Sequence, residues 1–424
     1  MQVGKISTRW PEGDRLARES AGYVVGFLRQ SLSTGIETVH RRCSVGKSRL
    51  FQSFQFNARL DNMAVLAEYG SQENGSTTTK QVFELDPLQD PRWRTFIEHH
   101  PRSSVFHRLE WLRALKLCYG YIPVALFSSR PGVPLENGVP YCEVKSALTG
   151  NRLVSLPFSD HCEPLVNDIN ELNILLGSLQ NKVNCEKWKY FELRPVSRKL
   201  GDEPELGISQ TYHFHRLGLS APQQVLFKRF HKDCVQRKIR RAERESLRYE
   251  HGSSDVLLNH FYKLLIMTRR RQSVPPQPMK WFRSLITSMG DRLTIRVAFK
   301  GETAVASILT LSHKKTLVYK YGCSDDRFNN LGGTQLLFWK AIQEAKANGI
   351  EELDMGRSDT DNPGLVTFKE HWGAERSTVN YWRYPAKATE PRPEGLIKYA
   401  KRVISVTPDR PLVMLGNLFY RHIG

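Results

Sequence analysis

Between Leu293 and Tyr321 apolar and polar positions alternate in three short runs, Leu293 to Phe299, Ala304 to Leu311 and Leu317 to Tyr321. A period of two, dense in β-branched and aromatic residues, marks strands half-buried in a sheet. Lys300-Gly301-Glu302 and His313-Lys314-Lys315 separate the runs at turn length, so the segment predicts an antiparallel meander. The period then changes. Beyond a loop from Asp325 to Gly333, Leu337, Phe338, Ala341, Ile342 and Ala345 recur at helical spacing until Asn348 and Gly349. Thr334 is the predicted N-cap of that helix. A further strand is predicted over Ile350 to Met355, followed by a loop, a short helix and a last strand that runs to Tyr384.

Upstream, Phe83 to Arg198 reads as a compact α/β unit. Helices are predicted over Asp90 to His99 and Phe106 to Cys118, and strands over Tyr121 to Phe127, Tyr141 to Ser146 and Arg152 to Leu156. Pro222 to Arg248 predicts one long basic helix. Leu226, Phe230, Cys234, Ile239 and Ala242 form its apolar stripe, and eight Lys and Arg side chains from Lys228 to Arg244 crowd its other faces. Helices follow over Val256 to Arg271, which ends in Arg269-Arg270-Arg271, and over Trp281 to Met289. Near the end of the chain, Glu394 to Ser405 is an amphipathic helix candidate and Leu412 to Tyr420 a second apolar stretch. Each is too short to span a bilayer, so docking against the body is expected, with peripheral attachment to an anionic membrane as the alternative.

Length sets the number of domains. At 424 residues the chain predicts two or three. The divisions expected are a weakly ordered extension over 1–80, a first half over 81–205, a second half over 206–385 and a helical tail over 386–424. Gly70 to Lys80 has linker composition, and Tyr23 to Leu28 is too short to cross a membrane. A net charge of +19 points to polyanionic partners or to a solvated surface, and charge alone does not separate the two. The seven cysteines are scattered and never spaced C-x-x-C, which argues against a disulfide framework or zinc site; a cytoplasmic setting and no metal are expected.

Candidate chemistry concentrates at the glycine loop. A strand feeding a glycine-bearing loop and then a helix presents free N–H groups and the positive end of a helix dipole, where phosphate binds well. Neither G-x-G-x-x-G nor G-x-x-x-x-G-K-S/T is present; the residues are Arg327-Phe-Asn-Asn330-Leu-Gly332-Gly333. This stretch is similar to the Q/R-x-x-G-x-G/A loop with which the acetyl-CoA-dependent N-acetyltransferase (GNAT) superfamily wraps the pyrophosphate of CoA. Asn330 replaces the first glycine, and Asn tolerates a left-handed backbone best among the other residues. With YKYGCSDDRFNNLGGTQLLFWKAI, ELDMGRSD and FKEHWGAE in order, the chain resembles the Fem family of peptidyltransferases and the related CelD-like exopolysaccharide acyltransferases. HHPRSSVFHRLEWLRAL and RLVSLPFSDH are similar to their first half, so the likeness spans about Phe83 to Tyr384.

The resemblance implies an α/β (α+β) fold of two GNAT-like halves, each a mixed sheet flanked by helices. It implies a cytoplasmic transferase, with a place peripheral to the inner membrane face as the alternative setting, that moves an acyl or aminoacyl group onto an amine of a cell-envelope or exopolysaccharide precursor. Two donors stay open: acetyl-CoA or another acyl-CoA, and aminoacyl-tRNA, although the long heptad-patterned hairpin of some Fem proteins is missing. A third reading is a non-catalytic basic module for nucleic acid or an anionic membrane. Arg327, Asn330, Gly332, Gly333 and Thr334 are the implied donor loop. Lys369 is the implied charged participant facing the acyl donor, with Phe368 packed beside it. Asp354, Asp359 and Asp361 are candidate bases, although Asp359 to Gly364 equally reads as a turn. His371 is a second base candidate. Tyr321, at the end of the strand whose N–H groups would serve an oxyanion, and Asp160, which closes a strand, are placed with substrate. A turn-forming role for Asp160 and a structural role for His107 are the simpler alternatives. Arg237 and Arg240 match a basic helix pattern in Fem proteins, which implies contact with the pyrophosphate of a nucleotide- or lipid-linked glycan precursor.

Overall fold

The computed structural model describes residues 81–130, 132–196, 206–386, 404 and 406–424. The expectations for residues 1–80 and, Ile404 apart, for the helix over Glu394 to Ser405 lie outside the described residues. By element order the first half extends to Gly218, past the expected boundary at 205, and runs β1 (Phe83–Leu85), α1 (Pro91–His99), α2 (Leu109–Tyr119), β2 (Ile122–Phe127), β3 (Val139–Val144), β4 (Arg152–Val154), α3 (Ile169–Cys185), β5 (Phe191–Leu193) and β6 (Gly207–Gly218). Local chemistry sets the ends. Asp90 caps α1 by accepting from the Arg92 N–H, Pro91 occupies its first turn, and α2 stops at Gly120 with φ of 73°.

The basic segment that follows is not one helix. It breaks into α4 (Gln223–Arg229), a π-turn (Lys232–Gln236) and α5 (Arg237–Arg244). Tertiary contacts override the helical pattern at the break. Phe230 turns inward onto Trp339 and Trp372, with ring centroids 5.7 and 5.0 Å away, and the His231 N–H donates to the His371 carbonyl at 2.8 Å.

The second half runs β7 (Arg248–Gly252), α6 (Asp255–Arg271), α7 (Met279–Met289), β8 (Leu293–Lys300), β9 (Thr303–His313), β10 (Thr316–Ser324), α8 (Gly333–Ala347), β11 (Glu352–Asp359), α9 (Pro363–Glu370) and β12 (Glu375–Tyr384). The predicted meander is β8, β9 and β10. The two halves repeat one element order: strand, two helices, three strands, helix, two strands, with α9 added before the last strand of the second. Their strands form one twelve-stranded sheet of order β1-β2-β3-β4-β5-β12-β6-β11-β10-β9-β8-β7. The final strands are exchanged. β12, from the second half, pairs with β5, while β6, from the first, pairs with β11, and the two pair with each other from Glu375↔Arg216 to Arg383↔Gly207.

The largest hydrophobic cluster also joins the halves, with Phe106, Trp111 and Leu115 of the first packed with Phe261, Trp281 and Phe282 of the second. The tail stretch forms α10 (Asp409–Ile423) and docks on this body. Leu412 is buried, the Tyr121 hydroxyl donates to the Tyr420 carbonyl at 3.1 Å, and Arg152 donates to the carbonyls of His422 and Gly424 at 2.6 and 2.9 Å. Among the described residues no helix is long and apolar enough to cross a membrane.

Candidate active site

β10 and β11 run parallel and are paired only from Thr316↔Glu352 to Val318↔Asp354. Beyond that point they part. β10 stays on β9 through a register shift between Tyr319 and Tyr321, and β11 shifts against β6 between Asp354 and Arg357, with Gly356 at φ of 70°. Parted strands leave peptide groups and side chains without ladder partners. The gap is filled by the segment after β4 of the first half. Asp160 accepts from Lys320 Nζ at 2.8 Å and lies 3.9 Å from Arg357 Nε. A Cβ at residue 356 would stand 3.3 Å from the Asp160 carboxylate, so glycine there lets the carboxylate close in. Burial pushes the Asp160 pKa up, but Lys320 and Arg357 outweigh it and hold the carboxyl below its usual range. Burial lowers the pKa of Lys320, against the pull of Asp160. The Arg357 guanidinium lies 4.1 Å from the centre of the Tyr212 ring and 5.0 Å from that of Tyr381.

Next to this cluster stands a buried pair drawn from both halves. His161 Nε2 lies 2.9 Å from Asp354 Oδ2, and Asp354 Oδ1 accepts from the Gly356 N–H at 2.7 Å. Phe106 and Phe214 hold the imidazole edge-on at 5.2 and 5.3 Å. Both residues of the pair line a cavity of about 260 Å³, together with Ser103, Arg216 and Glu352. Asp354 is one of the three carboxylates expected as bases. His161 was missed by the sequence reading. Its only signals are its place beside Asp160 in the SDH stretch and its position after a predicted strand.

The glycine loop is partly closed. Gly332, at φ of 80°, is the N-cap of α8, two residues before the expected Thr334, and a Cβ there would stand 2.2 Å from the Lys238 carbonyl. Gly333 packs on β9, where a Cβ would meet Ala306 and Val305 at 3.2 Å. Gly333 and Thr334 nevertheless line a cavity of about 210 Å³ with Lys238, Asn329, Gln335 and Phe368. A neighbouring cavity of about 430 Å³ shares Lys238, Gln335 and Phe368. The remaining loop residues lie elsewhere. Arg327 folds back on Asp325, donating at 2.6 and 3.0 Å with its side chain 72% exposed. Asn330 is exposed in a 3-10 turn (Asp326–Leu331) and does not take the left-handed backbone, which falls to Gly332. Arg237 is exposed and paired with Asp233 at 3.2 Å, and Arg240 lies over the Phe227 ring at 5.6 Å. The basic side chain at the cavities is Lys238, between them in sequence.

Lys369 does not face an open donor site. It is 1% exposed, and its Nζ donates to the carbonyls of Gly356 and Arg357 at 2.8 and 2.9 Å, pinning the bulge of β11. Burial lowers its pKa to about 8, against the pull of Asp160 and Asp354. Phe368, by contrast, lines both cavities, with its ring 5.6 Å from Phe338. Tyr321 is a core residue whose hydroxyl accepts from Trp281 Nε1 at 2.9 Å. Asp359 is exposed at the end of β11, its carbonyl accepting from the Asn362 N–H, and Asn362 caps α9. That is the turn reading. His371 sits at the C-cap of α9 with its ring 4.3 Å from that of His231, and burial followed by the His231 charge lowers its pKa. His107 is structural: it is fully buried, its Nε2 lies 2.9 Å from the Glu163 carbonyl, and burial lowers its pKa to about 3.

A family model described as an acetyltransferase (GNAT) domain matches residues 229–370, which hold β10, α8, β11 and α9. The solved structure of FemX is similar over 73% of this chain and 97% of its own, with a TM-score of 0.55 at 14% identity, a likeness of fold. A tandem GNAT protein from the clavulanic acid biosynthesis pathway covers 73% of this chain and 99% of its own, at 10% identity and a TM-score of 0.45. No curated protein matches the sequence.

Proposed function

We propose that the chain is a Fem-like acyltransferase of the GNAT superfamily and that it transfers an acyl or aminoacyl group from a phosphate-bearing carrier to an amine of a cell-envelope or exopolysaccharide precursor. The observation that carries the reading is the His161–Asp354 pair, built from both halves at the point where β10 and β11 part. An attacking amine must lose a proton as its nitrogen bonds to the acyl carbonyl carbon and the thioester or ester bond to the carrier breaks. Asp354 occupies His161 Nε2, which leaves Nδ1 to take that proton, and the carboxylate stabilises the imidazolium that forms. The released carrier group takes up a proton in turn. Lys320, Arg357 and Lys369 set three cations against the carboxylates of Asp160 and Asp354. That surplus of positive charge, in a low-dielectric setting, favours the oxyanion of the tetrahedral intermediate. On the donor side, the Gly333 and Thr334 N–H groups and Lys238 suit carrier phosphate.

Acyl-CoA is the first donor proposed, since the GNAT-type loop keeps a lined cavity at the start of α8. Aminoacyl-tRNA is the second, favoured by the closure of Gly332 under Lys238 and by the exposed arginines of α5. The acceptor proposed is a phosphorylated, nucleotide- or lipid-linked glycan precursor, and the setting proposed is cytoplasmic. Calorimetric titration of the full chain with acetyl-CoA, and filter binding of aminoacyl-tRNA at rising salt, separate the donors. One equivalent of CoA bound with little salt dependence supports the first. Retention of tRNA that falls steeply with salt supports the second. Binding of neither overturns the donor assignment at α8.

A further inference from the structure

The π-turn and the end of α9 bring together three side chains that the acyl-transfer reading does not use. His231, Cys234 and His371 each offer a ligand atom, and these atoms lie within 4.8 Å of one another. They come from two distant parts of the chain, an H-x-x-C stretch in the broken basic segment and the residue just past Glu370. Their backbones are pinned together by the bond from the His231 N–H to the His371 carbonyl at 2.8 Å.

We propose that His231, Cys234 and His371 form a binding site for a divalent transition metal of the zinc class, with three protein ligands and a fourth position reachable from the 430 Å³ cavity. The donor set suits that cation, because one thiolate and two imidazoles are borderline-soft ligands, whereas Mg²⁺ and Ca²⁺ require oxygen. Size is also right. Metal bonds of about 2.0–2.3 Å in a tetrahedron place ligand atoms roughly 3.3–3.6 Å apart. The observed spread of up to 4.8 Å therefore closes by about an ångström, through rotation of one exposed and two half-buried side chains. In the metal-free arrangement His231 Nδ1 accepts from the N–H groups of Asp233 and Cys234 at 3.3 and 3.2 Å, long bonds that a metal ligand can replace at small cost.

The placement gives the metal something to do. Cys234 and His371 line the cavity that also holds Lys238, Gln335 and Phe368, which continues toward the start of α8. A cation here ties the π-turn to α9 and offers an anionic ligand, such as a phosphate or carboxylate oxygen, the open fourth position. With only three protein ligands the site has the open form of an exchangeable centre rather than the closed form of a four-ligand structural one.

Cobalt(II) titration of the full chain without a histidine tag tests the site, because thiolate and tetrahedral ligation each leave an optical signature. The expected result is saturation at one equivalent, with a thiolate-to-cobalt charge-transfer band and tetrahedral d–d bands, both displaced by one equivalent of zinc. Cys234→Ser should remove the charge-transfer band, and His371→Ala should weaken binding at least tenfold, while far-ultraviolet circular dichroism of both stays that of the wild type. Zinc should also slow alkylation of Cys234, mapped by peptide mass, relative to that of the exposed Cys185. A charge-transfer band that survives in Cys234→Ser, or alkylation of Cys234 unaffected by zinc, overturns the proposal. So does the absence of any cobalt spectrum.

Discussion

The proton-accepting role proposed for His161 rests on one contact, between its Nε2 and Asp354, and on the cavity that both residues line. His161→Gln keeps a polar group of similar reach beside Asp354 but removes the basic nitrogen. The expected loss in kcat is about 10²–10⁴-fold, with donor affinity changed little, since general base catalysis contributes on that order. Turnover within a factor of three of the wild type would remove His161 from the reaction. Lys369 leads to a different experiment. Its carrier-facing role was implied by resemblance to a motif, and no sequence pattern could report that its Nζ would be consumed by two carbonyls of a bulge twelve and thirteen residues upstream. Its folded pKa of about 8 lies below the ordinary lysine value of 10.5, so between those values the unfolded chain holds a proton that the folded chain has released. Stability from this group therefore rises as pH increases from 8 toward 10.5. Urea unfolding of wild type and Lys369→Met at pH 7.5 and pH 10 isolates it, because other titrating groups cancel in the difference. The wild type should gain on the variant at the higher pH, and a gap that is constant or shrinks would mean that the burial does not depress the ammonium.

At the scale of elements, hydrophobic periodicity located α1, α2, α6, α7, α8 and the β8–β10 meander, whose strands send residues such as Leu309 and Leu311 into one apolar cluster and Val305 and Ile308 into another. It failed where tertiary contacts decide. The stripe of Leu226, Phe230, Cys234, Ile239 and Ala242 has the spacing of one helix, yet Phe230 is drawn onto Trp339 and Trp372 and the chain breaks there. That break is what carries α5 over the glycine loop and explains Gly332 by packing under the Lys238 carbonyl, while Gly333 is set separately by its packing on β9. α3, β5 and β6 carried no expectation at all; β6 alternates polar residues at its exposed start and shows its apolar face only at Tyr212, Phe214 and Leu217. Two substitutions separate packing from binding at α8. Gly332→Ala meets the Lys238 carbonyl and forces an L residue into a left-handed backbone that costs about 1–2 kcal/mol before any clash is counted. Denaturant unfolding should show a loss of about 2 kcal/mol or more. Lys238→Ala, whose half-buried side chain lines both cavities, should leave stability within about 0.5 kcal/mol and weaken donor binding about tenfold, the scale of one charge-assisted contact. If Lys238→Ala binds donor as tightly as the wild type, the anion is held elsewhere.

Across the whole molecule the exchanged strands make the two halves interdependent. Division of the chain at residue 205 leaves β1 to β5 on one side and β6 to β12 on the other, joined in the sheet only where β5 meets β12, whereas division by the repeated element order, after β6, exchanges the last strands. β5 has β12 as its outer neighbour from Phe191↔Tyr384 to Leu193↔Trp382, and β11 has β6 from Glu352↔Gly218 to Asp359↔Tyr212. A first half cut at 205 would therefore expose the edge of β5, and a cut after β6, at Gly218, would expose that of β11 as well. Unpaired edges beside apolar cores favour aggregation over folding. The shared cluster around Phe106, Trp111, Trp281 and Phe282 and the cross-half contacts of Asp160 and His161 add to the coupling. Proteins of two independent domains unfold in two steps, whereas interlocked halves must open together. Differential scanning calorimetry of the described body, starting at residue 81 and ending at Gly424, is expected to show one transition with calorimetric and van't Hoff enthalpies in a ratio close to one. His161→Gln and Gly332→Ala, on opposite sides of the exchanged strands, should each shift that single transition as a unit. Two resolved transitions, with Gly332→Ala moving only one of them, would mean that the exchanged strands do not couple the halves and that the active site must be assembled by domain docking.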